Sequence, residues 1–232
     1  MQKKTQQVSV LFAVMATLFT TCLMAANLFA LKQFSFGAVN FTGALLVFPL
    51  SYIINDVVAE VWGFRRARML IWTAFGMNFL FVMLGAAVDA LPGVGDNVES
   101  FHSIFGLAPR VAVASFLAFL VGSFVNAAVM SKMKVSMEGR WFVMRAVAST
   151  LAGELCDSMI FFPIALAGIV PWEVMPSFVL WQVGLKTAYE LIVLPITVRV
   201  VRAVKKKENT DVFDLGISYN IFKGKKNGQN EG

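Results

Sequence analysis

Two acidic residues lie inside an apolar stretch that is long enough to cross a membrane. Glu154 and Asp157 stand near the middle of this stretch, in the segment Ala152–Pro163. A spanning helix needs about 20 apolar residues, and a charge at that depth costs about 2.5–3.5 kcal/mol on insertion scales. The i,i+3 spacing places both carboxyls on one face of the helix. The fold must therefore bring a basic residue, a water-filled cavity or a polar ligand to this face.

The composition agrees with an integral membrane protein. Of the 232 residues, 58% are hydrophobic and 15% are charged, whereas soluble domains carry about 25% charged residues. The net charge is +6, but the basic residues fall in short clusters between apolar runs. Such clusters are typical of membrane topology and not of a phosphate-binding face. We therefore expect a lipid bilayer, and no nucleic acid, among the partners.

The apolar runs predict an all-α integral membrane protein with six transmembrane helices. The predicted helices span about Val8–Leu31, Val39–Trp62, Met69–Ala90, Arg110–Met130, Trp141–Val170 and Val174–Val204. The longest connection, Leu91–Pro109, is rich in turn residues and is interpreted as a water-exposed loop. Residues 1–207 form one transmembrane domain in this interpretation, and residues 208–232 form a polar cytoplasmic tail.

The distribution of Lys and Arg predicts the orientation. Basic residues are concentrated at the N-terminus (Lys3 and Lys4), in Arg65–Arg68, in Lys132–Arg140 and in the C-terminal tail, whereas the opposite side has only Lys32 and Arg110. By the positive-inside rule, both termini lie in the cytoplasm.

The acidic pairs also fit a weak internal repeat. Three helices per half is an odd number, so a duplication would invert the second half in the membrane. Helices 2 and 5 would then correspond, and they carry the pairs Asp56/Glu60 and Glu154/Asp157. We treat 3+3 inverted halves as a hypothesis that rests on these pairs alone.

The predicted helices contain more acids than bases. Asp56, Glu60, Glu154, Asp157 and Glu190 stand against Arg145 and Lys186. Glu60 is close to Arg65 in sequence and is expected to pair with that basic cluster. Lys186 lies too deep to reach either surface, so it needs an acid, and Glu154 or Asp157 is the natural candidate. The excess of acids favours a cavity that accepts a cation, a proton or a ligand rich in N–H donors.

No enzyme or metal motif accompanies these residues. The chain has one histidine, His102, and it has no HExxH, GxSxG, P-loop or GxGD sequence. Cys22 and Cys156 lie in apolar runs and are interpreted as packing residues. We therefore predict a protein that is not an enzyme and that has no cofactor and no metal site.

Three polar segments resemble one known family. They are Tyr52–Arg68 (YIINDVVAEVWGFRRAR), Gly153–Phe161 (GELCDSMIF) and Gln182–Glu190 (QVGLKTAYE). They are similar, in the same order, to the signature segments of the queuosine precursor transporters, also called the vitamin-uptake-like family. The resemblance covers essentially the whole six-helix region.

The resemblance implies import of 7-cyano-7-deazaguanine and/or 7-aminomethyl-7-deazaguanine across a bacterial inner membrane. The chemistry of the residues agrees, because a carboxylate accepts two N–H groups of a guanine-like base, Lys186 or Gln182 can donate to its carbonyl oxygen, and aromatic rings suit its π-face. The predicted substrate-binding residues are Asn55, Asp56, Glu154, Asp157, Phe161, Trp181, Gln182, Lys186 and Glu190.

Three alternatives remain open at this point. The same scaffold could carry another small cationic or heterocyclic nutrient. Asp56 and Asp157 could serve an intramembrane aspartyl enzyme, although the GxGD sequence of such enzymes is absent. A structural membrane subunit is the third alternative, and the surplus of buried acids argues against it. The sequence also leaves open facilitated, proton-coupled or partner-driven transport, the preferred precursor and whether the protein is a homo-oligomer.

Overall fold

The computed structural model describes residues 8–29, 32–36, 39–106, 109–168 and 171–222. Lys3, Lys4, the end of the predicted first helix at Leu31, Val170 and the last ten residues of the tail lie outside the described residues. The α-helices are α1 (Val10–Phe29), α2 (Phe48–Trp62), α3 (Phe64–Asp89), α4 (Val98–Phe105), α5 (Pro109–Ser136), α6 (Phe142–Leu166) and α7 (Met175–Glu208). The remaining elements are the strands β1 (Gln33–Phe36) and β2 (Val39–Thr42) and a 3-10 turn (Gly43–Leu46).

A short hairpin stands where the sequence predicts the start of helix 2. Strands β1 and β2 pair antiparallel, with Gln33 opposite Thr42, and the 3-10 turn follows before α2 begins at Phe48. The protein is α-helical apart from this hairpin within the described residues, and the predicted helix start at Val39 was wrong. The aromatic and β-branched residues of this segment favour strands, whereas Pro49 suits the first turn of a helix.

Several helices are longer than predicted. A single residue, Gly63 at φ +78°, separates α2 from α3, and Arg65, Arg66 and Arg68 therefore belong to α3 instead of a loop. Helix α4 forms inside the predicted loop Leu91–Pro109. Helices α5 and α7 continue to Ser136 and Glu208, because Lys and Arg are good helix formers once a helix leaves the apolar zone.

Five helical segments of the described chain are long and apolar enough to cross a membrane. They are Val10–Phe29, Gly43–Trp62, Phe64–Asp89, Ala112–Ser136 and Phe142–Ala165. Helix α7 is longer than any of them, with 34 residues, but Lys186, Glu190 and Arg199 make it more polar. A sixth span at α7 and the orientation of the termini remain predictions.

Helix α2 lies at the centre of the bundle. Asn55, Asp56 and the segment Val57–Val61 are all buried. Helices α1 and α3 instead expose large apolar side chains such as Leu18 and Leu84. This arrangement places polar residues inside the bundle and an apolar surface outside, as a lipid environment requires.

Helices α5 and α6 approach each other closely at two glycines. A Cβ atom at Gly122 would lie 2.9 Å from the Gly153 carbonyl oxygen and 2.6 Å from Tyr52 Oη. A Cβ atom at Gly153 would likewise lie 2.9 Å from the Gly122 carbonyl oxygen. Small residues at such positions let helix backbones approach in a membrane. The contact brings the polar faces of both helices next to α2.

The described part of the tail packs back on the bundle. The Val212 N–H donates to the Val61 carbonyl at 3.1 Å. Buried Asp214 accepts from the Phe64 N–H at 2.6 Å and from Ser131 Oγ at 2.5 Å. The end of the bundle where α2 meets α3 is therefore covered by the tail.

Candidate functional site

Most of the predicted site residues meet between four helices. Asn55 and Asp56 come from α2, Glu154 and Asp157 from α6, and Lys186 and Glu190 from α7, while α5 supplies polar neighbours. We call the five charged side chains Asp56, Glu154, Asp157, Lys186 and Glu190 the inner cluster.

Lys186 joins α7 to the acidic pair of α6, as its position deep within the predicted membrane span indicates. Its Nζ lies 2.6 Å from Glu154 Oε2 and 3.4 Å from Asp157 Oδ2. Both acids are at most 10% exposed, so these interactions are shielded from water. The same Nζ lies 4.2 Å from the centroid of the Phe48 ring, which favours the charged lysine.

The polar residues of α2 face α5 and α6. Asn55 Nδ2 donates to the Ser123 carbonyl at 3.0 Å and to Asn126 Oδ1 at 2.9 Å. Ser149 Oγ donates to Asp56 Oδ1 at 3.2 Å. All four side chains are 2% exposed or less. Asn55 therefore fixes α2 against α5, whereas Asp56 accepts a hydrogen bond from a hydroxyl group.

Many buried polar atoms of this region have no hydrogen-bond partner. They are Tyr52 Oη, Asn55 Oδ1, Asp56 Oδ2, Asn126 Nδ2, Thr150 Oγ1, Glu154 Oε1, Ser158 Oγ, Thr187 Oγ1 and Glu190 Oε2. Buried polar groups are normally paired, and leaving one unpaired costs about 1–3 kcal/mol. Such a concentration of free donors and acceptors is expected where water or a polar ligand binds.

Repulsion between carboxylates links the inner cluster across α2, α6 and α7. The negative charge of Glu190 repels that of Asp56. The negative charges of Asp157 and Glu190 likewise repel that of Glu154. One lysine therefore stands against four acids in this cluster. The cluster favours a proton, a cation or a ligand that donates hydrogen bonds.

The other predicted site residues, Trp181, Gln182 and Phe161, differ in their exposure. Trp181 is 72% exposed and lies about 140° around α7 from Lys186. Gln182 is half-buried. Phe161 is half-buried and packs edge-to-face on Phe162 at 5.4 Å. Their roles in binding remain predictions.

Sequence reasoning missed the aromatic residues that do face the cluster. Phe48 lies against Lys186, and Tyr52 packs on Phe48 with ring centroids 5.6 Å apart. Asn126 and Thr150 were missed as well. In the sequence, each of these two residues is a polar side chain within an apolar run. Such a pattern identifies a buried polar position but not its neighbours.

A second group of charges occupies the end of the bundle that the tail covers. We call Glu60, Lys134, Arg145, Lys205 and Asp211 the Glu60 network. Arg145 donates to both carboxylate oxygens of Glu60, at 3.0 Å for the Nη2 contact, and Lys205 Nζ lies 2.6 Å from Glu60 Oε1. Lys134 bonds to Asp211 and to the Glu60 carbonyl. The expected pairing of Glu60 with Arg65 was wrong.

The fold and the inner cluster together define a class of protein. Buried ionisable residues within membrane helices, surrounded by unpaired polar atoms, are typical of transport pathways. Residues 42–200 match the family described as "Putative vitamin uptake transporter". Because this match covers more than half of the chain, the protein belongs to that family.

Curated bacterial relatives support this assignment. A "Probable queuosine precursor transporter" of Bacillus subtilis is 28% identical over 175 residues, which are 74% of this chain and 76% of the relative. A protein of the same name from Haemophilus influenzae is 29% identical over 152 residues, 64% of this chain and 58% of the relative. The Escherichia coli "Queuosine precursor transporter" is 28% identical over 121 residues, 51% of this chain and 52% of the relative. No solved structure matches.

These findings place the protein among multi-pass transporters of the bacterial inner membrane. The resemblance of the three polar segments to the family is confirmed.

Proposed function

We propose that the protein imports queuosine precursors, 7-cyano-7-deazaguanine and/or 7-aminomethyl-7-deazaguanine, into the bacterial cytoplasm. The names of three relatives support this class of substrate. The observation that carries the proposal is the inner cluster, in which buried acceptors stand beside a single lysine between α2, α6 and α7.

The free atoms of the cluster complement a deazaguanine. The base presents N–H donors on one edge, and Glu154 Oε1 is a buried acceptor without a partner. Lys186 has three donor hydrogens and contacts two carboxylates, so one hydrogen is left for the carbonyl oxygen of the base. Phe48 and Tyr52 provide aromatic surface on the same side. The positive charge of the aminomethyl form suits the acidic excess.

The other predicted residues complete the proposed site. Asn55 and Asp56 form its boundary on α2, and Gln182 and Glu190 form its boundary on α7. Phe161 and Trp181 are proposed as outer contacts, since they are more exposed than the cluster.

Rescue of tRNA modification tests the proposal. A bacterial strain that cannot synthesise the precursors is supplied with the gene and fed each precursor in turn. We expect queuosine to appear in its tRNA and labelled precursor to enter the cells unchanged, which separates transport from enzymatic conversion. Entry of other heterocycles without rescue by either precursor would reject the proposed substrate.

Variants of the acidic pair localise the site. Glu154→Gln and Asp157→Asn keep the side-chain shape but remove the charge and replace one acceptor oxygen by an N–H donor group. We expect both to abolish uptake while the protein inserts at normal levels. Glu173→Gln changes an exposed glutamate and serves as the matched control. Loss of the protein itself, instead of loss of uptake, would indicate a structural pair.

The proposed import direction also requires the predicted orientation. Six spans with α7 as the last one place both termini in the cytoplasm by the positive-inside rule. Reporter fusions at both termini and at Arg65–Arg68 should report the cytoplasm, and fusions at Leu91–Pro109 the outside. A C-terminus on the outer side would reject the six-span topology.

A further inference from the structure

Asp56 and Glu190 differ from the other buried carboxylates of the helices. Glu60, Glu154 and Asp157 each pair with a lysine or an arginine. Within the described part of the chain, neither Asp56 nor Glu190 has a basic partner within 4.0 Å, although they are 0% and 2% exposed. An isolated carboxylate buried in this way pays a large desolvation cost.

Polar groups without partners surround the two carboxylates. Ser149 Oγ donates to Asp56 Oδ1 at 3.2 Å, but Asp56 Oδ2 and Glu190 Oε2 are unpaired. Asn126 lies near Asp56 and Thr150 near Glu190, but Asn126 Nδ2 and Thr150 Oγ1 have no partner at good hydrogen-bond geometry among the described residues. These two side chains are 0% and 2% exposed. The site therefore contains buried donors and acceptors that the protein itself does not satisfy.

The charges that face the pair do not neutralise it. Glu60 on α2 and Glu154 on α6 add negative charge, and α5 contributes the uncharged Asn126. The nearest base along α7 is Lys186, which is already bonded to the α6 acids. Burial and mutual repulsion both oppose ionisation of two carboxylates, and one bound proton removes one of the charges.

A proton is the smallest ligand that this pair can bind. The described residues contain no group of three His, Cys, Asp or Glu side chains placed to hold a metal ion. A proton needs only one carboxylate oxygen, and Asp56 Oδ2 and Glu190 Oε2 are both buried without a hydrogen-bond partner among the described residues.

We propose that Asp56 and Glu190 form a proton-binding site that couples substrate import to proton entry. The inference rests on the proposed function, because the coupled substrate is the one bound by Glu154, Asp157 and Lys186. A carboxylate oxygen takes up a proton from one side of the membrane and releases it on the other, so only an O–H bond forms and breaks. Glu190 repels Glu154, and its protonation therefore alters the charge felt at the substrate contacts. Occupancy of the two sites is linked in both directions.

The first test detects the proton without any substrate. Infrared difference spectra of the purified full-length protein are recorded while the pH is stepped across neutrality. We expect the carbonyl stretch of a protonated carboxyl, and we expect Asp56→Asn and Glu190→Gln each to remove or shift it. Glu173→Gln should leave the band unchanged. Absence of a protonated buried carboxyl at neutral pH in the wild type would overturn the proposal.

The second test measures coupling in proteoliposomes that contain a pH-sensitive dye. With the membrane potential clamped, addition of neutral 7-cyano-7-deazaguanine to the wild type should acidify the interior. A gradient of one pH unit is a tenfold ratio of protons, so one proton per substrate molecule supports about tenfold accumulation. In Glu190→Gln, proton entry should be lost and the accumulation ratio should fall to about one. Glu173→Gln should accumulate substrate like the wild type.

The outcomes separate the coupling from the substrate assignment. Accumulation that requires sodium at clamped pH, or that occurs without proton entry, overturns the coupling. A wild type that shows the carboxyl band but carries neither deazaguanine supports the proton site and rejects the proposed substrate. Because the carboxamide variants keep the side-chain shape, each is first checked for the elution and melting behaviour of the wild type.

Discussion

The two groups of buried charges differ in how completely their members are paired. In the Glu60 network, Arg145 donates to both oxygens of Glu60, and Lys205 contacts the same carboxylate. In the inner cluster, Lys186 serves two carboxylates, and two further acids have no base at all within the described residues. The unpaired buried atoms include three carboxylate oxygens of the inner cluster and none of the Glu60 network.

This difference predicts a structural role for the Glu60 network and a transport role for the inner cluster. A network in which every charge is paired holds helices in a fixed arrangement, and removing one member leaves its partners exposed to the full desolvation cost. A cluster with unpaired atoms is costly for folding alone, but it can exchange partners when a ligand or a proton arrives. The comparison predicts that mutations in the Glu60 network act mainly on stability and that mutations in the inner cluster act mainly on transport.

The largest stability effect is expected for Arg145→Met. It leaves Glu60 with Lys205 alone at close range, because Lys134 Nζ is 3.9 Å from the carboxylate. Breaking a buried ion pair costs about 3–5 kcal/mol. Thermal unfolding of the purified protein in detergent measures the loss. The matched control is Arg140→Met, which removes an exposed pair with Glu138 and should cost at most about 1 kcal/mol. Equal stability of the two variants would contradict the structural role of the network.

Lys186→Met tests the inner cluster from its basic side. It leaves Glu154 and Asp157 unpaired, and we expect a loss of stability close to that of Arg145→Met but smaller, because Lys186 is 13% exposed. The double variant Lys186→Met with Glu154→Gln should recover part of the lost stability, because only Asp157 is then unpaired. It should not recover uptake, since both proposed substrate contacts are gone. Melting temperature and uptake are measured on the same samples. Full uptake by the double variant would indicate that the binding site lies near Asn55 and Asp56 instead.

Asp214→Ala tests the attachment of the tail to the end of the bundle. It leaves the Phe64 N–H and the Ser131 hydroxyl without their acceptor, and an unsatisfied buried group costs about 1–3 kcal/mol. Asp96→Ala, at an exposed position, is the control and should be neutral within error in the same unfolding measurement. If Asp214→Ala unfolds at the wild-type temperature, the tail does not stabilise the bundle.

The smallest effect is a dependence of stability on acid pH through Asp211. Burial opposes the ionised form, but hydrogen bonds and charge from Lys134 and Lys205 prevail and hold the pKa of Asp211 below its usual value of 3.8. Its stabilising effect is therefore complete above that value and is lost as the pH falls through the lower pKa of the folded protein. The effect is small because the Asp211 side chain is 45% exposed.

Melting temperatures recorded between about pH 5 and pH 3 check the effect of Asp211. The Asp211→Asn variant should be slightly less stable at the upper end of this range, and it should lose less stability than the wild type at the lower end. A wild type and variant with parallel profiles would show that Asp211 does not contribute through its charge.

Positions that depend on local sequence were predicted well. Apolar runs located five segments able to span a membrane, because length and hydropathy are properties of a single segment. The need of Lys186 for an acid on α6 followed from its depth, and the structure supplies Glu154 and Asp157. The predicted start of α2 was wrong, because the periodicity of a short apolar run does not distinguish a strand from a helix.

Partners that are distant in the chain were not predictable. Glu60 was assigned to Arg65, its neighbour in sequence, but Arg145 and Lys205 bind it from α6 and α7. The return of the tail onto α2 and α3 was not foreseen either, since the tail is polar and has no periodic pattern. In both cases, the contact partner depends on which helix ends come together in space.

The sequence by itself determined that this chain enters a membrane, that its helices carry an excess of acids, and that its three polar segments resemble one transporter family. Each of these properties is local and can be read from residue type and spacing. Only the tertiary structure decided which acids are paired, because the close approach of α5 and α6 at Gly122 and Gly153 and the central position of α2 set the distances between charges. Among the described residues, those distances leave Asp56 and Glu190 without a base within 4.0 Å and surround Glu60 with three.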